Sequence, residues 1–103
     1  MSVFIVRIEL HDAVEEEYEV LHKAMSKIGF SRTVLDTNKI EFHLPKAEYG
    51  MSADLEPVKV MDIVTKAAEQ TNKMFGILLT QAQGVTFYNL APVKKRVESI
   101  SNN

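Results

Sequence analysis

The chain has 103 residues, 46% of them hydrophobic and 25% charged, with no cysteine and a formal net charge of −2. That length leaves room for one hydrophobic core, and the composition is too apolar for a disordered chain. A disulfide framework, a thiolate nucleophile and a cysteine-type zinc site are excluded, and the slight negative charge argues against a protein that coats nucleic acid electrostatically.

Residues 3–10 alternate, with Phe4, Val6, Ile8 and Leu10 on one face and Val3, Ile5, Arg7 and Glu9 on the other, which predicts a strand with one wholly apolar face. With Arg7 and Glu9 inside this first strand, and no basic region followed by an apolar stretch and a small-residue cleavage site, no secretory leader is expected there. Asp12 stands three residues before Glu15, a capping-box spacing, and Glu15, Glu16 and Glu17 suit the positive end of a helix dipole. A helix is expected over 13–28, its apolar stripe formed by Val14, Tyr18, Leu21, Met25 and Ile28 and its end capped by Gly29. His22 lies beside that stripe with no obvious partner and is assigned no function.

Residues 30–35 and 39–44 read as a hairpin turned at Asp36, Thr37 and Asn38, its second strand setting Ile40, Phe42 and Leu44 against Lys39, Glu41 and His43. The stretch 45–56 mixes Pro, Gly, Ser and charge and is expected to be the longest loop. A second helix runs from Pro57 towards Phe75, with Met61, Val64, Ala68 and Thr71 inward, and Gly76 ends it. Two more strands are expected at 77–81 and 85–90, followed by a polar, frayed end. The order is β-α-β-β-α-β with an extra C-terminal strand, an α+β ferredoxin-like split βαβ pattern with both helices on one face of an antiparallel sheet. It places one domain over 1–92 and a polar, flexible tail over 93–103.

In that topology the first and third strands become central neighbours, so Arg7 and Glu9 would face Glu41 and His43 on the open side of the sheet. Two carboxylates, a guanidinium and an imidazole can do general acid–base chemistry with a cation to steady phosphate charge. The same set can be a solvent-facing cross-strand salt-bridge array, which is common on antiparallel sheets and which residue types and spacing alone favour. At the end of the first strand, Glu9, His11 and Asp12 are too few hard ligands for a convincing metal site, and Asp12 has the cap to supply. Charge is uneven: residues 1–56 carry 6 basic and 11 acidic side chains, residues 57–103 carry 6 and 3, and Lys94, Lys95 and Arg96 form a short basic cluster. Phe4 and Phe42 share the phase of the buried residues, so the stacking aromatics of an RNA-recognition motif are not expected on the open face. Nucleotide-loop, GxSxG, HExxH and EF-hand signatures are absent from the sequence. No cofactor and no metal are expected. The lack of any long apolar run predicts no membrane span, and a cytoplasmic location is expected.

The strand Phe4-Ile5-Val6-Arg7-Ile8-Glu9, the helix after it, and Gly29-Phe30-Ser31 then resemble the GhoS family of small bacterial type V antitoxins, which are endoribonucleases of ferredoxin-like fold related to the small CRISPR-associated nuclease. The resemblance implies cleavage of a single-stranded toxin messenger RNA with little or no dependence on metal. Glu9 stands at the acidic position where the related nucleases carry an aspartate. On this reading Arg7, Glu9, His11 and His43 are the candidate catalytic residues. The alternative is a non-catalytic module that forms a homodimer through the open sheet face or the appended strand, using Val3, Ile5 and the last hairpin.

Overall fold

The computed structural model describes residues 2–94. In chain order these form β1 (Ser2–Leu10), α1 (Glu15–Lys27), β2 (Thr33–Leu35), β3 (Glu41–His43), β4 (Glu48–Ala53), α2 (Pro57–Glu69) and β5 (Phe75–Ala82). β1 lies between β4 and β5 and is antiparallel to both, with Val6 opposite Tyr49 on one side and Leu79 on the other. β2 and β3 make a separate two-stranded sheet. The two sheets meet where Ser31 bridges Gly50, the two backbones exchanging hydrogen bonds of 2.9 and 2.9 Å. The chain thus follows the α+β, ferredoxin-like plan, with α1 and α2 on one face of the three-stranded sheet.

The core is what the alternation of β1 dictates. Phe4, Val6, Ile8 and Leu10 are all buried, packed with Leu21, Ala24 and Met25 of α1, Val60, Val64, Ala67 and Ala68 of α2, and Tyr49 of β4. Gly29 caps α1 as expected, in a left-handed conformation at φ 96°, where the sulfur of Met51 lies 3.3 Å from where a Cβ would sit.

Four expectations are corrected. Helix α1 begins at Glu15, with Val14 as its N-cap: the Val14 N–H donates to the Glu17 carboxylate at 2.7 Å, while Asp12 occupies the preceding turn at φ 51°. The stretch 45–56 holds the strand β4. Its inward positions Tyr49, Met51 and Ala53 do alternate, but Gly50 and Ser52 between them have weak strand preference, and it is the pairing with β1 that fixes the conformation. Helix α2 stops at Glu69, because Thr71 turns its hydroxyl back onto the Ala68 carbonyl at 2.8 Å and Asn72 enters the left-handed region at φ 60°. Gly76 consequently lies within β5. Residues 85–90 form no strand. The extra C-terminal pairing falls a little later, where His43 and Val93 N–H groups donate to the Ala91 and Glu41 carbonyls and Phe42 bridges Pro92. Residues 95–103 of the expected tail, with Lys95 and Arg96 of its basic cluster, lie outside the described residues.

Candidate functional site

β1 is longer than its neighbour β4. In the antiparallel register Arg7 faces Glu48, the first residue of β4, so Ile8, Glu9 and Leu10 run on with no strand beside them on that edge. Backbone donors left there need other acceptors. The Ile8 N–H donates to the Ala47 carbonyl at 3.1 Å, and the Leu10 N–H donates to the Tyr18 hydroxyl at 3.1 Å. Ala47 reaches this position only by adopting φ 68°, a left-handed conformation that a residue with a Cβ adopts at a cost of about 1–2 kcal/mol. Lys46, just before it, holds its ammonium 6.0 Å from the centre of the Tyr18 ring.

The result is a cavity of about 660 Å³ at the end of β1, whose polar lining side chains are Arg7, Glu9, Tyr18 and Lys46 and whose floor includes Gly76 and Leu78 of β5. Gly76 lies opposite Glu9 and contributes no side chain to fill the space. Neither Arg7 nor Lys46 forms an ion pair with a described residue; the two ion pairs found among them are Lys66 with Asp62 and Lys73 with Glu17. Two cations, a carboxylate and a phenol therefore line one solvent-filled space without neutralising one another.

Two of the four expected catalytic residues are gathered here and two are not. His43 lies on β3, which pairs with β2 and with residues 91–93 but not with β1, so the expected juxtaposition of Glu41 and His43 with Arg7 and Glu9 does not form. The reason is that the third strand of the sequence belongs to a separate two-stranded hairpin, and the fourth takes the place beside β1. The Glu41 carboxylate is already engaged by the Thr33 hydroxyl at 2.6 Å. His11 ends the ladder, its N–H donating to the Met74 carbonyl at 2.8 Å, and its exposed side chain lines no part of the cavity. Lys46 and Tyr18 are the residues that sequence reasoning missed. Lys46 stood in an expected loop, and Tyr18 read as one more member of the core stripe.

The hairpin covers the other end of the same sheet face. Val34, Leu44 and Val85 gather over Val3, Ile5 and Gly50, and a Cβ on Gly50 would stand 3.3 Å from a methyl of Ile5 and 3.7 Å from one of Leu44. Phe42 packs on Phe87, ring centres 5.2 Å apart, rather than in the main core. Among the described residues, nothing from the hairpin covers the Arg7–Glu9 end of the face.

Among the described residues no three His, Asp or Glu side chains are placed to hold a metal ion together. No helix there is long and apolar enough to cross a membrane. No protein-family model matches the chain, and no curated protein matches it.

Proposed function

We propose that the protein is an endoribonuclease of GhoS type that cleaves single-stranded RNA in the cavity at the end of β1. The observation that carries the reading is the gathering of Arg7, Glu9, Lys46 and Tyr18 around one open space. Cleavage of an RNA phosphodiester without an added nucleophile needs a base for the ribose 2′-hydroxyl, cations for the charge that builds on phosphorus oxygens, and an acid for the departing 5′-oxygen. Glu9 takes the 2′-hydroxyl proton. The 2′-oxygen then bonds to phosphorus as the bond to the 5′-oxygen breaks, leaving a 2′,3′-cyclic phosphate. Arg7 and Lys46 face the phosphate charge. Tyr18, whose oxygen accepts the Leu10 N–H and so keeps its own proton for the cavity, protonates the 5′-oxygen.

The test is digestion of a mixed pool of short single-stranded RNAs by highly purified protein, with the ends of the products identified. Cyclic phosphate ends that vanish with Glu9→Gln support the reading. Cleavage undiminished in Glu9→Gln, or no cleavage by the unaltered protein, ends it.

A second reading is favoured by β5, which among the described residues pairs only with β1 and carries no charged residue among its eight. Uncharged free edges are sites of strand addition. Leu78 on the open face is 67% exposed. On this reading the chain forms a homodimer and has no turnover of its own; light scattering that gives a monomer mass at high concentration contradicts it.

A further inference from the structure

One turn along α1 from Tyr18, His22 lines a second cleft of about 440 Å³, together with Ser26, Gly29, Phe30, Ser31 and Arg32. This cleft differs from the first in having no carboxylate in its wall. It is built on rigid parts: His22 and Ser26 are successive turns of α1, and Ser31 is fixed to β4 by its two backbone hydrogen bonds with Gly50.

The imidazole is held in one orientation by a buried partner. The His22 Nδ1 lies 2.7 Å from the Tyr49 hydroxyl, and Tyr49, the second residue of β4, is fully buried. That hydroxyl has no other hydrogen-bond partner among the described residues. A buried O–H without an acceptor is costly, so Tyr49 donates and Nδ1 accepts. A neutral His22 ring then carries its proton on Nε2, the nitrogen left for the cleft. Burial, with help from the Arg32 charge and a smaller one from Lys46, holds the imidazole below its ordinary pKa, against a weaker opposite pull from Glu19 and Glu15. The ring is therefore a neutral N–H donor near neutral pH.

Arg32 makes no ion pair with a described residue and lies close enough to influence both His22 and Tyr49. The Ser31 hydroxyl is spoken for: Thr33 spends its own proton on Glu41 at 2.6 Å, so in the 2.9 Å pair with Thr33 it is Ser31 that donates. The donors that remain are His22 Nε2–H, the Arg32 guanidinium and the Ser26 hydroxyl. A fork of guanidinium donors together with two neutral donors, with no carboxylate in the wall of the cleft, is chemistry suited to a tetrahedral oxyanion.

We infer that the His22–Ser26–Arg32 cleft binds a phosphate group, either free phosphate or the phosphate of a nucleotide. The assignment does not depend on cleavage at Glu9. It is tested by nuclear magnetic resonance of the protein carrying nitrogen-15 histidine, titrated separately with inorganic phosphate, uridine monophosphate and uridine. The free protein is expected to show His22 as the Nε2–H tautomer, and Nε2 is expected to shift saturably with phosphate or uridine monophosphate but not with uridine. Tighter binding of the nucleotide assigns the site to phosphate esters; equal binding assigns it to free phosphate. Arg32→Gln, an exposed change, and Ser26→Ala are each expected to weaken binding, Arg32→Gln by about tenfold, the loss of one charge-assisted hydrogen bond. Glu9→Gln, which stops cleavage on the ribonuclease reading, leaves this titration unchanged. The inference is overturned by an Nδ1–H tautomer, by a response that does not saturate, by undiminished binding in Arg32→Gln, or by a response to uridine equal to that of its monophosphate.

Discussion

β1 and β3 are both strands of alternating apolar and charged residues, and they have opposite fates. β1 is paired along both edges and roofed by two helices, so Phe4, Val6, Ile8 and Leu10 are sealed from solvent. β3 is paired with three residues of β2 and with a single bridge at Pro92, and Ile40 just before it remains 51% exposed. Alternation decides which side chains share a face; the neighbours of the strand decide whether that face becomes core. The same contrast governs chemistry. The part of β1 that outruns β4 opens the cavity holding Arg7 and Glu9, whereas β3 presents His43 to solvent on a hairpin outside the three-stranded sheet.

The contrast can be broken most strongly in the two phenylalanines. Phe4→Ala removes a wholly buried ring and is expected to cost about 3–5 kcal/mol, close to the full stability of a small domain. Phe42→Ala, on a half-buried ring packed against Phe87, should cost about 1 kcal/mol. Urea unfolding of the two variants checks this, and equal losses would mean that the hairpin is part of the cooperative core.

Gly50→Val sharpens the comparison at the seam between the sheets. Its methyl groups would intrude on Ile5 and Leu44, with an expected cost of about 1–3 kcal/mol. Hydrogen exchange should quicken in β2 and β3 while the amides of β1 paired with β5 keep their protection.

A smaller effect comes from the pair of half-buried His22 on α1 and buried Tyr49. Folding lowers the His22 pKa from its ordinary 6.5, so the unfolded chain binds that proton more readily than the folded one. The stabilisation from the neutral ring is complete above that unfolded value and is lost as pH falls through the folded value. Urea midpoints measured from neutral to mildly acidic pH should therefore decline, and His22→Gln should flatten that decline. Folding also lowers the Glu17 carboxyl, through the Val14 N–H and then Lys73, but its stabilisation disappears only in the more acidic carboxylate range below 4.5. The two contributions separate along the pH axis. The smallest expected change is Ala47→Gly: it relieves a left-handed alanine and should raise stability by less than about 1 kcal/mol, since the freer glycine also favours the unfolded chain.

The helical stripes apart from Val14, which is the exposed N-cap of α1, the inward face of β1 and the Gly29 cap were legible in the sequence because each is a local pattern whose period matches its element. β4 was not, although Tyr49, Met51 and Ala53 recur at every second position, because Gly50 and Ser52 interrupt the apolar signal and only pairing with β1 stabilises the strand. That one missing strand explains the partial reading of the site. With β4 read as a loop, the hairpin strand seemed to take the place beside β1, which put His43 next to Glu9 and left Lys46 without a location. Arg7 and Glu9 could be found because they interrupt an otherwise apolar strand. The pairing of His22 with Tyr49, 27 residues apart, has no local pattern to announce it.

The central claim is that any RNA chemistry of this protein takes place at the end of β1 and not on the hairpin. It is tested most directly by measuring RNA cleavage rates for Glu9→Gln and His43→Ala side by side with the unaltered protein, all three checked for folding. A loss of about a hundredfold or more in Glu9→Gln, the usual scale for removing a general base, with His43→Ala unchanged, is the predicted result. A large loss in His43→Ala with Glu9→Gln unaffected would contradict it.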